Sequence, residues 1–268
     1  FCYNYKQLLK QSGYVDIHDI DSSIMIALRY ATTNNFLNRD MYNGFKECYM
    51  QPETAEKLKK AQTIIHQQNS DLTIVVFDAT RPWSVQKLMW DSVQLSTEEK
   101  CRFLAHPSKH SMHSFGAAID CGLANTQGVL LDMGTEFDFA GEKAFPCLEK
   151  KLQQKGILSQ KQIDNRQLLR NAMTRAGFTI NSYEWWHFNA CTKQYACQHY
   201  ILIKDFGNSK IVNNSDCRIE SRNDSIVYCV QLVTLSHRVL NTSSVFKSLS
   251  VWFYKQDNNF KYVTGHCK

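Results

Sequence analysis

Two short polar motifs, far apart in the chain, constrain its fold more than any other feature. The first is Ser-Met-His-Ser-Phe-Gly-Ala-Ala-Ile-Asp at residues 111–120, and the second is Glu-Trp-Trp-His at residues 184–187. Together they offer two imidazoles, one carboxylate ligand and a spare carboxylate. A catalytic zinc site needs three protein ligands, an open position for water and a general base. We therefore expect a fold that brings the two motifs together.

The candidate metal ligands are His113, Asp120 and His187. A single histidine is usually a structural or surface residue. These three residues, however, sit inside or beside apolar runs, where an unpaired polar side chain costs about 1–3 kcal/mol. His106 and His110 are close enough to His113 in sequence to compete with it as ligands.

Glu184 is the candidate general base, because it lies three residues before His187 and can contact the metal-bound water without binding the metal. The spacing restricts the local backbone. Residues three apart point to opposite faces of a regular strand but share one face of a helix. We therefore expect either a distorted strand around Trp185 and Trp186 or a turn at this point.

Apolar patterning predicts alternating helices and strands over the first 200 residues. Apolar positions three and four apart indicate helices, and short apolar runs bounded by turn residues indicate buried strands. The predicted helices cover residues 51–68, 84–93 and 165–176, the last with Asp164 as N-cap and Gly177 after its end. The predicted strands cover residues 72–77, 115–121 and 178–189.

Arg81 directly follows the predicted strand 72–77 and precedes Pro82, which favours an extended conformation for it. Two interpretations of this arginine are open. It pairs with a surface carboxylate, or it faces the metal and stabilises the oxyanion of a tetrahedral intermediate.

Composition excludes several classes of protein. The Lys and Arg residues are scattered and the net charge is only +6, which argues against a nucleic-acid-binding surface. No run approaches the roughly 20 apolar residues of a transmembrane helix. The ten cysteines include no Cys-x-x-Cys, which argues against a zinc ribbon, and they are compatible with an oxidising compartment. Because the sequence starts at Phe1, we expect a processed or trimmed chain.

The composition changes after about residue 200. Residues 204–224 are rich in Asn, Ser, Asp and Lys and predict a linker between a first domain, 1–203, and a C-terminal segment, 225–268. In that segment we predict strands at 225–235, 250–254 and 260–264, a short helix or turn near 240–249, and a turn at 257–259.

Six motifs, in order over about residues 15–190, resemble the zinc D-alanyl-D-alanine dipeptidases of vancomycin resistance. They are Tyr30-Ala31-Thr32-Thr33-Asn34-Asn35-Phe36, Phe77-Asp78-Ala79-Thr80-Arg81-Pro82, Ser-x-His-x-x-Gly-x-Ala-x-Asp from Ser111, Met133-Gly134-Thr135-Glu136-Phe137-Asp138, Asn165-Arg166 and Glu184-Trp185-Trp186-His187. The resemblance implies an α+β fold with a central antiparallel sheet, flanked by helices, that carries one Zn²⁺. It also implies hydrolysis of the D-Ala-D-Ala dipeptide.

The resemblance implies a role for each matching residue. His113, Asp120 and His187 bind zinc, and Glu184 is the general base that passes a proton to the leaving amine. Arg81 stabilises the transition state.

The resemblance also implies a substrate pocket lined by Ser111 and Tyr30, in which Asp138 pairs with the free ammonium of the dipeptide. This anionic anchor explains why such an enzyme is an exopeptidase. A longer peptide has no charge at that point and leaves Asp138 buried and unpaired.

The C-terminal segment resembles the opening half of a sporulation-related repeat (SPOR) domain, a family that binds peptidoglycan glycan strands. The similar stretches are residues 226–232, 246–249 and 260–265. The resemblance implies a small α/β module and peptidoglycan as a partner. The alternative is a β-extension packed on the enzyme.

Two other functions compete with the dipeptidase. The first is a D,D-carboxypeptidase or endopeptidase of the same zinc family that acts on peptidoglycan stem peptides. The second is a non-catalytic wall-binding protein, against which the presence of Glu184 and Arg81 argues. The wall-binding resemblance and the cysteines favour the periplasm or cell envelope, whereas the dipeptidase activity alone also suits the cytoplasm.

Overall fold

The computed structural model describes residues 2–101, 104–206, 228–230, 249–256 and 259–266. The chain divides into two compact units, Phe1–Asn214 and Ser215–Lys268. The α-helices described in the first unit are α1 (Cys2–Gln11), α2 (Ile17–Ile20), α3 (Pro52–Gln68), α4 (Trp83–Ser92), α5 (Thr97–Lys100), α6 (Glu149–Gln154), α7 (Gln160–Ala176) and α8 (Lys193–His199). Its strands are β1 (Val15–Asp16), β2 (Met25–Ile26), β3 (Tyr49–Met50), β4 (Leu72–Asp78), β5 (Ala118–Asn125), β6 (Thr179–Ile180) and β7 (His187–Asn189).

A five-stranded sheet in the order β2-β4-β5-β7-β6 forms the centre of the first unit. Strand β4 is buried along its whole length, as its continuous apolar sequence predicts. Helix α3 packs against β4 and against α7. The fold is therefore α+β, as expected. The sheet is antiparallel, as expected, except at one edge, where β2 pairs with β4 in parallel.

The predicted helix at 165–176 begins earlier, at Gln160. Ser159 caps it, since its hydroxyl accepts from the Gln162 amide at 3.2 Å while the Gln162 side chain accepts from the Ser159 amide at 2.9 Å. This reciprocal pair is a capping box, a stronger start signal than the predicted N-cap Asp164, which lies inside the helix. The helix ends at Ala176, and Gly177 lies just past this end, as predicted, with the left-handed φ of +100° that favours glycine.

The predicted strand at 115–121 starts later, at Ala118, because a turn of 3₁₀ helix, Met112–Phe115, precedes it. Gly116 ends this turn at φ +64°, and a Cβ there would lie 2.3 Å from the Tyr14 ring. Only glycine fits both the left-handed backbone and the close contact. The glycine thus allows His113, on the helical turn, to lie beside the strand.

The predicted strand at 178–189 is a hairpin. Strand β6 pairs antiparallel with β7, with Thr179 opposite Asn189 and Ile180 opposite Phe188. Residues 181–186 form the connection, and the His187 amide donates to the Glu184 carbonyl at 3.4 Å. Of the two expected solutions to the spacing of the second motif, the chain adopts the turn.

The described strands of the second unit are β8 (Tyr228–Val230), β9 (Leu249–Gln256) and β10 (Asn259–His266), which form an antiparallel sheet in the order β10-β9-β8. They overlap the three predicted strands. The predicted helix or turn near 240–249 lies almost wholly outside the described residues, as do residues 257–258 and most of the predicted linker. The domain boundaries at 203 and 225 and the SPOR-like character stay predictions. Among the described residues, no helix combines the length and apolar character that crossing a membrane requires.

Candidate active site

Three adjacent strands place polar residues in one row across the sheet. Asp78 at the end of β4 lies opposite Asp120 on β5, and Asp120 lies opposite His187 on β7. A register shift between Val76 and Asp78 interrupts the β4–β5 ladder, and irregularities of this kind change the direction of side chains at strand ends. The row therefore carries two carboxylates and an imidazole on neighbouring strands.

Three ligand atoms converge beside this row. The Asp120 Oδ1 atom lies 2.9 Å from His187 Nδ1 and 3.3 Å from His113 Nε2, and the two imidazole nitrogens are 3.3 Å apart. Two ligands on a tetrahedral ion with bonds of about 2.0 Å are separated by about 3.3 Å. The triangle therefore has the dimensions of one face of a tetrahedral zinc site.

The outer nitrogen of each imidazole faces a hydrogen-bond acceptor. The His113 Nδ1 atom lies 2.8 Å from the Ala79 carbonyl oxygen, and the His187 Nε2 atom lies 3.0 Å from the Asn189 side-chain oxygen. A proton on each of these outer nitrogens satisfies its acceptor, and in the neutral imidazole the other nitrogen then presents a lone pair. In the absence of a metal ion, and against the effect of burial, the Asp120 carboxylate raises the pKa of His187 to about 9, and a divalent cation would take the place of that proton among the three ligand atoms.

The donor set fits zinc: two imidazole nitrogens and one carboxylate oxygen, with room for a fourth ligand. Within the described ranges, the cluster that can hold a metal consists of the three predicted ligands, His113, Asp120 and His187. His106 and His110, the expected competitors, are not part of it. The His106 ring instead bonds the Ser108 hydroxyl and packs edge-on to Trp90.

Glu184 lies beside the cluster, with its Oε2 atom 4.0 Å from His187 Nδ1. The Asn181 side-chain amide donates to the same oxygen at 2.8 Å and orients the carboxylate. Burial raises the pKa of Glu184 above its ordinary value, and the neighbouring His187 opposes this shift. The carboxylate is therefore close to the cluster but outside it, as a general base requires.

Arg81 is buried and faces the site rather than a surface carboxylate. Its Nε atom lies 3.4 Å from Asp78 Oδ2, and its guanidinium lies 5.1 Å from the Tyr30 ring centre. Although burial favours its neutral form, the Asp78 charge raises the pKa of Arg81 above its ordinary value. The guanidinium is a fixed positive charge at the cavity.

Tyr30 and Asp138 come together from segments 108 residues apart. The Tyr30 hydroxyl oxygen lies 2.9 and 2.8 Å from the two Asp138 carboxylate oxygens. Burial raises the pKa of Asp138 well above its ordinary value, while the Tyr30 hydrogen bond acts in the opposite direction. Asp138 adopts φ +63°, which is uncommon outside glycine. This backbone strain at a carboxylate in a cavity is typical of a ligand-binding position.

Ser111 begins the helical turn that carries His113, since its hydroxyl accepts from the His113 amide at 3.3 Å. It also lines a cavity of about 320 Å³, close to the lower end of ligand-pocket sizes. All eight predicted site residues line this one cavity: Tyr30, Arg81, Ser111, His113, Asp120, Asp138, Glu184 and His187.

Comparison with known proteins agrees with the peptidase chemistry that the cavity geometry indicates. A peptidase family model, described as D-Ala-D-Ala dipeptidase (peptidase M15), matches residues 10–205. The chain belongs to this family. It is therefore a hydrolytic peptidase, and the matched region contains all eight residues that line the cavity.

Several D-Ala-D-Ala dipeptidases are similar to this family member. The D-alanyl-D-alanine dipeptidase of Escherichia coli K12 is 31% identical over 177 residues, 65% of this chain and 82% of the relative. The enzyme of the same name from Enterococcus faecium is 29% identical over 194 residues, 66% of this chain and 90% of the relative. That from Synechocystis is 26% identical over 186 residues, 59% and 75% of the two chains.

Four supporting residues of this dipeptidase-family site were not predicted from the sequence. Asp78 contacts Arg81 and accepts from the Tyr42 hydroxyl, while Asn181 and Asn189 orient Glu184 and His187. Asp78 could have been identified from the sequence. It lies in one of the six motifs, directly after a predicted apolar strand, where a polar side chain needs a partner. Tyr42 and the two asparagines gave no such signal, because their contacts depend on long-range packing and on the hairpin turn.

Proposed function

We propose that this chain is a zinc-dependent dipeptidase that hydrolyses D-Ala-D-Ala to D-alanine. The observation that carries the proposal is the convergence of His113 Nε2, Asp120 Oδ1 and His187 Nδ1 beside the Glu184 carboxylate. The curated relatives named above are D-alanyl-D-alanine dipeptidases, which supports the choice of substrate.

His113, Asp120 and His187 hold the zinc ion in this proposal. When bound, zinc polarises the scissile carbonyl and lowers the pKa of a water ligand. The Ala79 carbonyl and the Asn189 side chain keep the two imidazoles in the required tautomers. The identity of the metal rests on the donor set, which is that of catalytic zinc sites.

Glu184 is the general base. Its carboxylate accepts the proton of the attacking water and then delivers it to the nitrogen of the leaving D-alanine. Burial favours this cycle, because a base with a raised pKa is also a competent acid in the second step. The Asn181 amide holds the carboxylate in place throughout.

Arg81 and Asp138 recognise opposite charges. The Arg81 guanidinium stabilises the negative charge that develops on the carbonyl oxygen. Asp138, oriented by Tyr30, accepts the free ammonium of the dipeptide. Ser111 lines the same cavity and completes the substrate contacts.

The competing function within the family is cleavage of longer stem peptides by a D,D-carboxypeptidase or endopeptidase. Asp138 argues for the dipeptide. Its carboxylate is stabilised by an ammonium, whereas the uncharged amide of a longer peptide leaves the anion without a counter-charge in a poorly solvated place.

One assay tests the proposal. The zinc-loaded chain is incubated with D-Ala-D-Ala or with N-acetyl-D-Ala-D-Ala, and released D-alanine is measured alongside the zinc content of the protein. We expect about one zinc per chain and turnover of the free dipeptide at least about 100-fold faster than of the blocked one. Faster turnover of the blocked peptide would instead support the carboxypeptidase, and a protein that binds no metal would refute the site.

Two further parts of the proposal concern the partner of the C-terminal segment and the cellular location of the chain. We propose that the C-terminal segment, residues 225–268, binds peptidoglycan glycan strands and that the chain acts in the periplasm or cell envelope. Support comes from the sequence resemblance and from the cysteines. Co-sedimentation of the full chain with purified peptidoglycan tests the first part, and the absence of binding would contradict it.

A further inference from the structure

A second cavity of about 770 Å³ adjoins the catalytic cavity, and we refer to it as the outer groove. The two share six lining residues: Cys101, Leu104, Asp138, Tyr183, Glu184 and Trp186. They are therefore one continuous space. Because the catalytic cavity alone is only about 320 Å³, most of the available volume lies outside the part that surrounds the metal ligands.

The remaining wall of the outer groove is largely apolar, and much of it is exposed. It contains Phe36, Leu95 and Phe139, which are 39%, 45% and 45% exposed, and Phe145, whose ring packs edge-on to Tyr183 at 5.3 Å. Single exposed apolar residues are ordinary, but several around one cavity indicate a binding surface.

The charged side chains among the described lining residues of the outer groove are all acidic. Its lining includes the carboxylates of Glu99, Asp138, Glu142 and Glu184, and none of its described lining residues is Lys, Arg or His. The chain as a whole carries a net charge of +6, so this acidic lining departs from the average surface. Glu142 is exposed at the groove, whereas the Glu99 carboxylate already bonds the Ser96 hydroxyl at 2.7 Å. The groove therefore favours an apolar ligand that ends in a cation.

The position of Asp138 shows which end of a substrate faces the outer groove. Asp138 lines both cavities, and the next residue, Phe139, lines only the groove. If Asp138 binds the ammonium of a dipeptide, the groove begins at the amino-terminal residue of that dipeptide. If the amino-terminal residue carries a side chain longer than the methyl group of alanine, that side chain can enter the groove while the ammonium remains bound to Asp138.

We propose that the outer groove is a substrate subsite for the side chain of the amino-terminal residue, and that it favours a long aliphatic side chain ending in an amine. This inference rests on the proposed function. The chain then accepts D,D-dipeptides beyond D-Ala-D-Ala, with a D-lysine-type residue preferred in the first position.

The test compares kcat/KM for three dipeptides: D-Ala-D-Ala, D-norleucyl-D-Ala, and D-Lys-D-Ala, which adds the amine. We expect D-norleucyl-D-Ala to exceed D-Ala-D-Ala by about tenfold, since a single methylene in an apolar pocket already changes kcat/KM by about 10- to 200-fold. D-Lys-D-Ala is expected to be the best of the three.

Two variants assign the effect to the groove. Phe139→Ala should lower kcat/KM by about tenfold for both long substrates and leave D-Ala-D-Ala unchanged. Glu142→Gln should lower only D-Lys-D-Ala, to the level of D-norleucyl-D-Ala. Ile157→Ala, at a position 46% exposed, and Glu136→Gln, at an exposed position, lie outside both cavities and serve as matched controls.

Three outcomes would overturn the proposal. Rapid D-Ala-D-Ala turnover with the long dipeptides slower by about 100-fold would show that the groove takes no substrate side chain. Faster turnover of an N-acylated peptide than of any free dipeptide would show that it takes a chain extension instead. If no dipeptide is hydrolysed at all, the proposed function fails first and the subsite fails with it.

Discussion

The hydroxyl oxygen of Tyr30 lies within 2.9 Å of both carboxylate oxygens of Asp138, although the two residues are 108 positions apart. Burial first, and then the Asp138 charge, raise the pKa of Tyr30 well above its ordinary value, so the phenol stays protonated and donates. The ring of the same tyrosine lies 5.1 Å from the Arg81 guanidinium. One side chain thus contacts both the carboxylate that we propose binds the substrate amine and the guanidinium that we propose stabilises the oxyanion.

The first prediction concerns the Tyr30 hydroxyl. Tyr30→Phe keeps the ring beside Arg81 but removes the donor to Asp138. Because a hydrogen bond to a charged group contributes about 1.5–3 kcal/mol, we expect KM for D-Ala-D-Ala to rise about tenfold or more while kcat changes little. Steady-state kinetics test this, with Tyr195→Phe outside the cavity as the control. An unchanged KM would remove Tyr30 from the substrate site.

The second prediction concerns the pH dependence of substrate binding. Burial raises the pKa of Asp138 well above its ordinary value, so its carboxylate is ionised only above that raised pKa. Binding of the ammonium is therefore lost as the pH falls through it. We expect kcat/KM to fall at acidic pH, forming an acid limb with a midpoint above the ordinary aspartate pKa of about 3.9. The limb attributed to Asp138 should be weaker in kcat, because a bound ammonium keeps Asp138 ionised.

The comparison protein for this pH profile is Asp138→Asn, which cannot titrate at this position. Its kcat/KM should be low at every pH and should lack the acid limb attributed to Asp138. If the variant shows the wild-type profile, another group is responsible.

The third prediction concerns Glu184. Glu184→Gln retains an oxygen that can accept from Asn181 but cannot take a proton from water. We expect kcat to fall by about 10²- to 10⁴-fold, the usual contribution of general acid–base catalysis, with zinc content unchanged. Glu136→Gln, at an exposed position outside the cavity, controls for the loss of a surface carboxylate. Wild-type turnover in Glu184→Gln would show that another group is the base.

The fourth prediction concerns the buried Asp78, whose Oδ2 atom lies 3.4 Å from Arg81 Nε and 3.5 Å from His113 Nδ1. Asp78→Asn leaves the buried guanidinium without its counter-ion. Removing one partner of a buried pair costs about 3–5 kcal/mol, so we expect a lower urea midpoint together with a lower kcat.

Two variants calibrate the Asp78 result. Tyr42→Phe removes only the hydroxyl that donates to Asp78 and should cost less, about 1.5–3 kcal/mol. Asp91→Asn breaks the exposed Lys87–Asp91 pair, for which about 0–1 kcal/mol is expected. Equal losses in Asp78→Asn and Asp91→Asn would mean that the buried position of Asp78 has no special role.

The fifth prediction concerns removal of the metal. A chelator should abolish hydrolysis, and zinc should restore it. It should also lower the melting temperature, since a cation that binds only the native state stabilises the fold. His113→Ala and His187→Ala should lose zinc by elemental analysis, whereas His106→Ala should keep it, because His106 is outside the cluster. Full activity of a metal-free protein would contradict a zinc mechanism.

Much of the fold follows from local signals in the sequence. Helix α3 and strand β4 have nearly the predicted bounds. The helical spacing of apolar residues in α3 indicates one buried face, and the continuous apolar run of β4 indicates a strand buried on both faces. The start of α7 was missed because Asp164, a plausible N-cap, competed with the capping box of Ser159 and Gln162. The aromatic-rich sequence of residues 178–189 resembles one strand, although the spacing of Glu184 and His187 leaves a turn open, and only the pairing of β6 with β7 shows the hairpin.

The sequence by itself determined which groups make up the site. The two imidazoles and two carboxylates are the titratable side chains that motifs 111–120 and 184–187 offer, and both motifs lie in apolar surroundings where polar side chains need partners. The tertiary structure decided how these groups are arranged. The register shift before Asp78, the contacts of the two imidazoles with Ala79 and Asn189, and the Tyr30–Asp138 contact join residues up to 108 positions apart. Local periodicity cannot encode such contacts, because they form only when the strands pair.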